Sequence, residues 1–142
     1  MANLVYNRFS YNLAKKLIDL SEDTIKCALL TDAYTPDADH NEWTDISEHQ
    51  VSGLGYTAGG KTLTGQTVTQ DDENDRGVFD ADDVEWTTMN VTSMYAVLYD
   101  ISASSNLICL IDFGGNKDSG GADFTIVWHA DGIINLSLMV VC

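Results

Sequence analysis

The stretch MYAVLYDISASSNLICLIDF, residues 94–113, decides the fold of this chain. Its two apolar runs, 94–99 and 107–113, are separated by a short polar turn between Ser102 and Asn106. Strand-forming runs on both sides of a short turn are typical of an antiparallel hairpin. The sequence therefore predicts that these twenty residues fold back on themselves as two paired strands.

Short runs of the same kind recur on both sides of this hairpin. They cover residues 24–30, 61–64, 67–70, 78–79, 84–86, 124–128 and 133–141. We expect Gly65 and Gln66 to form a tight turn that joins 61–64 to 67–70, and 130–132 to join the last two runs. The last run, 133–141, is interpreted as a final core strand.

Helical patterns are confined to two places. Leu13, Leu17 and Leu20 predict a short helix over residues 11–20, and residues 45–50 predict one helical turn with Asp45 as its N-cap. Many short strands with little helix predict an all-β, mainly antiparallel fold, as a single β-sandwich or barrel-like domain. The predicted division is a short helix or arm over 1–20 and a β-rich globular domain over 21–142.

Charge is the strongest compositional feature. The 142 residues include 22 acidic and 7 basic side chains, giving a formal net charge of −15. Such a surface repels phosphates and anionic lipids, so we expect neither nucleic acid nor membrane as a partner. Three of the basic residues, Arg8, Lys15 and Lys16, precede Leu20, so a mildly basic start is followed by an acidic body.

The cysteines and the chain start indicate the setting of synthesis. Cys27 and Cys109 lie in apolar runs and are predicted to be small core residues, while Cys142 is the last residue. Their spacing suggests neither a disulfide framework nor a zinc knuckle, which favours synthesis in a reducing cytoplasm. Residues 1–9 lack the apolar region of a signal peptide, and no apolar run is long enough for a membrane span.

Two patterns invite a ligand interpretation. The acidic loop from Asp71 to Glu85 is rich in oxygen ligands, but Arg76 stands where an EF-hand needs glycine or a ligand. An exposed acidic turn is favoured, and a calcium site built from separate loops stays open. His40, His49 and His129 are far apart and lack zinc spacing, so we expect surface or edge positions.

The segment GYTAGGKT, residues 55–62, formally satisfies the phosphate-loop pattern G-x-x-x-x-G-K-[ST]. A working phosphate loop follows a buried strand and opens a helix, whereas Thr-rich strand residues follow here. No nucleophile motif occurs elsewhere. The sequence therefore predicts no catalytic, cofactor-binding or metal-binding residue, and a protein that is not an enzyme. Trp43 lies in a polar loop, where packing is favoured over a role as an exposed anchor.

Several segments together resemble a known family. They are DTIKCALL (23–30), YTPD (34–37), VSGLGYTAGGKTL (51–63), FDADDVEW (79–86), YAVLY (95–99) and IDFGG (111–115). In this combination the chain resembles the small virion structural proteins of tailed bacteriophages, and among them capsid decoration (cement) proteins. The segment from Tyr6 to Leu20 is longer and more aromatic than the family pattern.

The resemblance implies a structural role. It implies a homotrimer, made in the host cytoplasm, that binds the major capsid protein on the outer surface of the virion and stabilises the head. No catalytic residue comes with it. We expect the acidic body to face solvent and residues 1–20 to reach the shell or a neighbouring subunit. The alternative is a tail- or fibre-associated module that binds the host, which an exposed aromatic groove near Trp43 and Tyr56 would favour.

Overall fold

A computed structural model describes residues 3–141 and shows mainly antiparallel strands. Short 3-10 turns lie at Ser47–His49 and Ile101–Ala103. The other elements, in chain order, are β1 (Leu4–Val5), α1 (Asn7–Ala14), β2 (Ile25–Leu30), α2 (Trp43–Ile46), β3 (Lys61–Thr62), β4 (Thr67–Asp71), β5 (Arg76–Asp80), β6 (Val84–Trp86), β7 (Thr92–Asp100), β8 (Asn106–Asp118), β9 (Phe124–Ile126) and β10 (Ile134–Leu136).

The hairpin predicted over residues 94–113 is the centre of the main sheet. That sheet has five antiparallel strands in the order β1-β8-β7-β2-β3, and β7 pairs with β8 along most of its length. The 3-10 turn between the two strands is fixed by Asp100, whose side-chain Oδ1 accepts a hydrogen bond from the Ala103 backbone N–H at 3.1 Å. The hairpin prediction and the all-β antiparallel class are confirmed. The choice between sandwich and barrel stays a prediction.

Both faces of the main sheet are buried. Side chains on successive strand residues point to opposite faces, and here they join two separate apolar clusters. Two small sheets, β10-β5-β4 and β6-β9, supply Phe79, Ile134 and Trp86 to the first cluster. Tyr34 from a loop and Ile46 from α2 belong to the second. Double coverage explains why β2 and β7 read as nearly continuous apolar runs.

The predicted pairing of 61–64 with 67–70 is wrong. β3 pairs with β2, and β4 pairs with β5. Gly60 causes this divergence, since its φ of +83° and missing side chain let the backbone lie directly against Cys27 of β2. The Leu63 N–H then donates to the Ile25 carbonyl at 2.8 Å, which holds this segment along the main sheet.

Both helical predictions need new boundaries. α1 spans Asn7–Ala14 instead of 11–20, because Phe9 and Asn12 form its buried face and Lys16, at φ +60°, lies beyond its end. α2 begins at Trp43, and Asp45 is its third residue, not its N-cap. Ile18 and Leu20 are buried in the same cluster as the strands, while the division at residue 20 stays a prediction.

The final strand is shorter than predicted. β10 covers only Ile134–Leu136 of the expected 133–141. It runs antiparallel to β5, and its last residue, Leu136, pairs with Gly77, the second residue of β5. β5 therefore ends as a partner one residue later, at Arg76. The apolar residues from Leu138 onward are exposed instead of forming a core strand. Cys27 and Cys109 are buried, as predicted, whereas Cys142 falls outside the described residues.

Candidate functional site

A basic and aromatic surface lies on the outer side of α1 and the turn that follows it. This surface, the α1 patch, consists of Arg8, Tyr11, Lys15, Lys16 and Leu17. Arg8, Tyr11 and Lys15 recur at spacings of three and four, so they share one helix face. The Arg8 guanidinium carbon lies 5.9 Å from the centre of the Tyr11 ring. Tyr11 and Leu17 are more than half exposed.

The opposite face of α1 anchors this patch to the body. Phe9 and Asn12 are buried there, and α1 packs along β8. Just before the helix, the Tyr6 N–H donates to the Ile108 carbonyl at 3.1 Å. Separation of buried and exposed positions by helical spacing makes α1 amphipathic. The patch is therefore presented from a rigid support on the main sheet.

A loop from Tyr34 to His40 holds the start of α1 from the other side. The Asn7 backbone N–H donates to the Ala38 carbonyl at 3.0 Å, and the Asn7 amide donates to the Asp39 carboxylate at 2.8 Å. Tyr34 reaches under the helix, where its hydroxyl lies 3.1 Å from the hydroxyl of buried Tyr6. These contacts fix the direction in which α1 points.

Tyr34 is also the centre of a polar network. Its hydroxyl lies 2.8 Å from His40 Nδ1, and the His40 and His49 rings lie 5.6 and 5.7 Å from its own ring. Burial raises the pKa of Tyr34, and burial also raises the pKa of Tyr6, its hydrogen-bonded partner. Both phenols therefore stay protonated at neutral pH and serve as hydrogen-bonding groups.

An open cleft of about 460 Å³ surrounds this network. It is lined by Tyr34, His40 and His49 together with the carboxylates of Asp37, Asp45 and Glu48. Within residues 3–141, no group of three or more His, Cys, Asp or Glu side chains is arranged to hold a metal ion. The cleft adjoins α1 through Tyr6, so it belongs to the support of the α1 patch.

The acidic loop is tied into local hydrogen bonds. The Asp71 carboxylate accepts from Arg76 Nε at 2.9 Å, and hydrogen bonds from the side chains of Asn74 and Arg76 lower its pKa. Farther along, the Asp83 carboxylate accepts from the Trp128 backbone N–H at 3.0 Å. These carboxylates act as acceptors that fasten the turns around β5 and β6.

The phosphate-loop pattern serves a different purpose from the one its spacing suggests. Lys61 and Thr62 form β3, which pairs with β2, where a phosphate loop would open a helix. Gly59 accepts a hydrogen bond from the Tyr99 hydroxyl at 2.6 Å and donates one to the Gln50 side chain at 2.9 Å. The glycines thus let the segment lie closely against the main sheet.

The aromatic side chains at positions 43 and 56 do not form a common groove. Trp43 stacks flat on Tyr99, with ring centres 4.7 Å apart and planes within 3°. Tyr56 packs beside Trp86 in the other apolar cluster, and its hydroxyl accepts from the Leu29 N–H at 3.2 Å. The two side chains therefore pack with opposite faces of the main sheet, and packing accounts for both.

The thiols and the helices add two further findings. Burial raises the pKa of Cys109 to about 12 and raises the pKa of Cys27 still further, so both thiols stay protonated at neutral pH. In the part of the chain that the structure describes, no helix has the length and apolar character needed to cross a membrane.

Sequence reasoning noticed the basic start of the chain but missed how it is displayed. The predicted helix begins at residue 11, four residues after the observed start of α1 at Asn7, so the prediction does not place Arg8, Tyr11 and Lys15 on one helix face. The spacing of these residues was the available signal. The contact of His40 and His49 with Tyr34 has no local signal in the sequence, because separations of six and fifteen residues bring side chains into contact along neither a helix nor a strand.

Comparison with known proteins adds no further identification. A scan against protein-family models, a search of curated proteins and a search of solved structures each return no match to this chain.

Proposed function

We propose that this chain is a capsid decoration protein of a tailed bacteriophage, which binds the major capsid protein on the outer surface of the virion as a homotrimer and stabilises the head. The α1 patch makes the contact with the shell. The proposal depends on one observation above all: a protein of formal net charge −15 carries a basic, aromatic and exposed surface.

The physical argument begins with the charge distribution. Lys15 and Lys16 are exposed in a molecule whose 22 acidic side chains far outnumber its 7 basic ones. A strongly acidic body is repelled by an acidic partner unless a basic region turns towards that partner. The α1 patch therefore orients the protein, leaving the acidic surface towards solvent.

Exposed aromatic and apolar side chains provide the second part of the argument. Tyr11 and Leu17 are 54% and 55% exposed, and Arg8 lies over the Tyr11 ring. Tyrosine and arginine are enriched among the residues that dominate binding energy at protein interfaces. A partly apolar patch framed by positive charge fits a protein surface with complementary acidic groups. The sequence resemblance to decoration proteins supports the same conclusion.

A binding experiment with matched charge variants tests the proposal. Capsids lacking the protein are mixed with the full chain, and co-sedimentation is measured at several concentrations. Lys15→Glu/Lys16→Glu should weaken binding about tenfold or more, which corresponds to roughly 1.4 kcal/mol. Lys61→Glu/Lys117→Glu changes the net charge equally at exposed positions outside the patch and should bind normally. Equal loss in both variants, or in neither, contradicts the assignment of the patch.

Cryo-electron microscopy of the particle tests the location. Density repeated over the capsid lattice, with α1 facing the shell, is the expected result. Density confined to the tail would contradict the proposal and would support the host-binding alternative.

A further inference from the structure

The outer edge of β4 is an open hydrogen-bonding edge. In the sheet β10-β5-β4, this strand has a neighbour only on the β5 side. Its first four residues, Thr67, Val68, Thr69 and Gln70, are uncharged and exposed. Natural edge strands are usually protected by charged side chains, proline or a bulge, because an open edge can pair with another chain. Residues 67–70 contain neither charge nor proline.

The same chain carries a strand-like segment without a place in its own sheets. This segment, residues 137–141, reads Ser-Leu-Met-Val-Val and follows β10 directly; we call it the exit segment. Its four apolar side chains are 80–91% exposed. Four consecutive apolar residues at such exposure form a surface that marks an interaction site in a folded protein. Their type favours an extended strand.

The exit segment cannot reach the β4 edge of its own molecule in a paired arrangement. β10 and β4 lie on opposite sides of β5, and the last pair between β10 and β5 is Leu136–Gly77, one residue from the start of β5 at Arg76. Five extended residues span about 17 Å, and a strand added to the free edge of β4 would lie three strand spacings, roughly 14 Å, from β10, before the chain has reversed direction. A second molecule is therefore needed to bring this segment to the β4 edge.

A groove beside β4 offers space for the side chains of an added strand. The pairing register places Val68, Gly77 and Leu136 on one face of the small sheet. They line an open groove of about 650 Å³, in which Gly77 contributes no side chain and Val68 is 48% exposed. Leu138, the second residue of the exit segment, also borders this groove in its own molecule, and charged residues line its end at the β4–β5 turn: Asp71, Asp72, Asp75 and Arg76. When a strand is added to an edge, every second side chain falls on the same face. Apolar residues in that strand would cover Val68 and Leu136.

A second copy of this chain is the favoured occupant, because every copy carries both the exposed apolar exit segment and the open β4 edge. Two molecules of net charge −15 repel each other across most of their surfaces. The exit segment and residues 67–70 are both uncharged. Pairing between them therefore adds no charge repulsion of its own to the contact between two copies. Their lengths also match, since β4 and the exit segment each have five residues.

We propose that the exit segment of one copy pairs as an added strand with the β4 edge of a second copy and covers the groove lined by Val68 and Leu136. Each copy then has one donor segment and one acceptor edge. A contact between two different surfaces gives a closed assembly in two ways. Two copies can exchange their segments with each other, or several copies can form a ring in which each binds the next. A ring of three copies agrees with the homotrimer proposed above, although the contact itself does not require capsid binding.

The isolated full chain provides the test, through sedimentation velocity and light scattering over a range of concentrations. The donor variant is Met139→Lys/Val140→Lys, and the acceptor variant is Val68→Lys. The control for the donor variant is Leu54→Lys/Val127→Lys, which adds the same two charges at apolar side chains that are 69% and 73% exposed elsewhere, and Leu54→Lys alone is the control for the acceptor variant. We expect the native chain and the control to associate, and the other two variants to associate at least about 100-fold more weakly.

Mixing the two weakened variants gives the decisive result. The donor variant keeps an intact β4 edge, and the acceptor variant keeps an intact exit segment, so together they should form a one-to-one heterodimer. Circular dichroism checks that each variant is folded, and Thr69→Lys replaces Val68→Lys if the latter is not. A monomeric native chain, an acceptor variant that associates normally, or a mixture without heterodimer overturns the proposal. A chain that is monomeric alone but needs Met139 and Val140 for capsid binding assigns the segment to the shell instead.

Discussion

Replacing Gly60 by alanine tests why the glycine-rich segment 55–62 exists. At φ +83°, a β-carbon costs about 1 kcal/mol from backbone strain alone. It would also overlap the backbone of Cys27 and Ala28, which cannot move without displacing β2 from β7. Overlap of this kind adds roughly 2 kcal/mol. Gly60→Ala should therefore lower the free energy of unfolding by about 3 kcal/mol in total.

Gly114→Ala is the matched control. Gly114 has a similar φ of +77°, but a β-carbon there meets no atom within 4 Å. Only the backbone cost of about 1 kcal/mol is expected. Urea unfolding followed by circular dichroism measures both variants, and the midpoint of Gly60→Ala should fall by about 2 M for a typical slope of about 1.5 kcal/mol/M. Equal losses in the two variants would refute the argument that close approach to β2 requires glycine.

Three further predictions concern buried and capping groups. Burial, with a smaller effect from the carboxyl of Asp23, raises the pKa of Asp100 to about 8, above the ordinary 3.8. The contribution of Asp100 to stability is therefore full below its unfolded pKa of 3.8 and is lost as pH rises to its folded pKa of about 8, so Asp100→Asn should flatten the decline in melting temperature between about pH 4 and pH 8. Tyr34→Phe removes the hydroxyl 3.1 Å from that of buried Tyr6 and should cost about 1–3 kcal/mol in urea unfolding; an unchanged midpoint would contradict this role. Asp45→Ala removes the acceptor of two backbone N–H groups at the start of α2 and should cost about 1 kcal/mol, checked by the same unfolding curve.

Local patterns in the sequence identified the parts of the fold that local contacts determine. The β7–β8 hairpin was predictable because two apolar runs flank a turn of a few residues. The buried state of Cys27 and Cys109 followed from the apolar runs around them. In both cases the deciding residues are neighbours in sequence.

Errors arose where distant residues decide the outcome. Gly65 looked like a hairpin turn, but the close approach of Gly60 to Cys27 redirects β3 to β2, and no local pattern reports that contact. The end of β10 depends on where β5 begins, so the apolar run 133–141 could not show its own limit. The basic charges of the α1 patch can be identified in the sequence. Its common helical face was not predicted, because the predicted helix begins at residue 11 and excludes Arg8.

The long-range pairing of the main sheet has a consequence for synthesis on the ribosome. Ile25 in β2 pairs with Asp100 in β7, and the N–H of Tyr6 needs the carbonyl of Ile108. An emerging chain therefore makes its first apolar strand long before the partners of that strand exist, and folding dominated by such distant pairings is slow. The basic helix at the front can be seated only after most of the chain has been translated. A prematurely terminated copy that lacks β8 thus cannot hold the α1 patch in place. Binding through the α1 patch is therefore limited to copies in which β8 has been made.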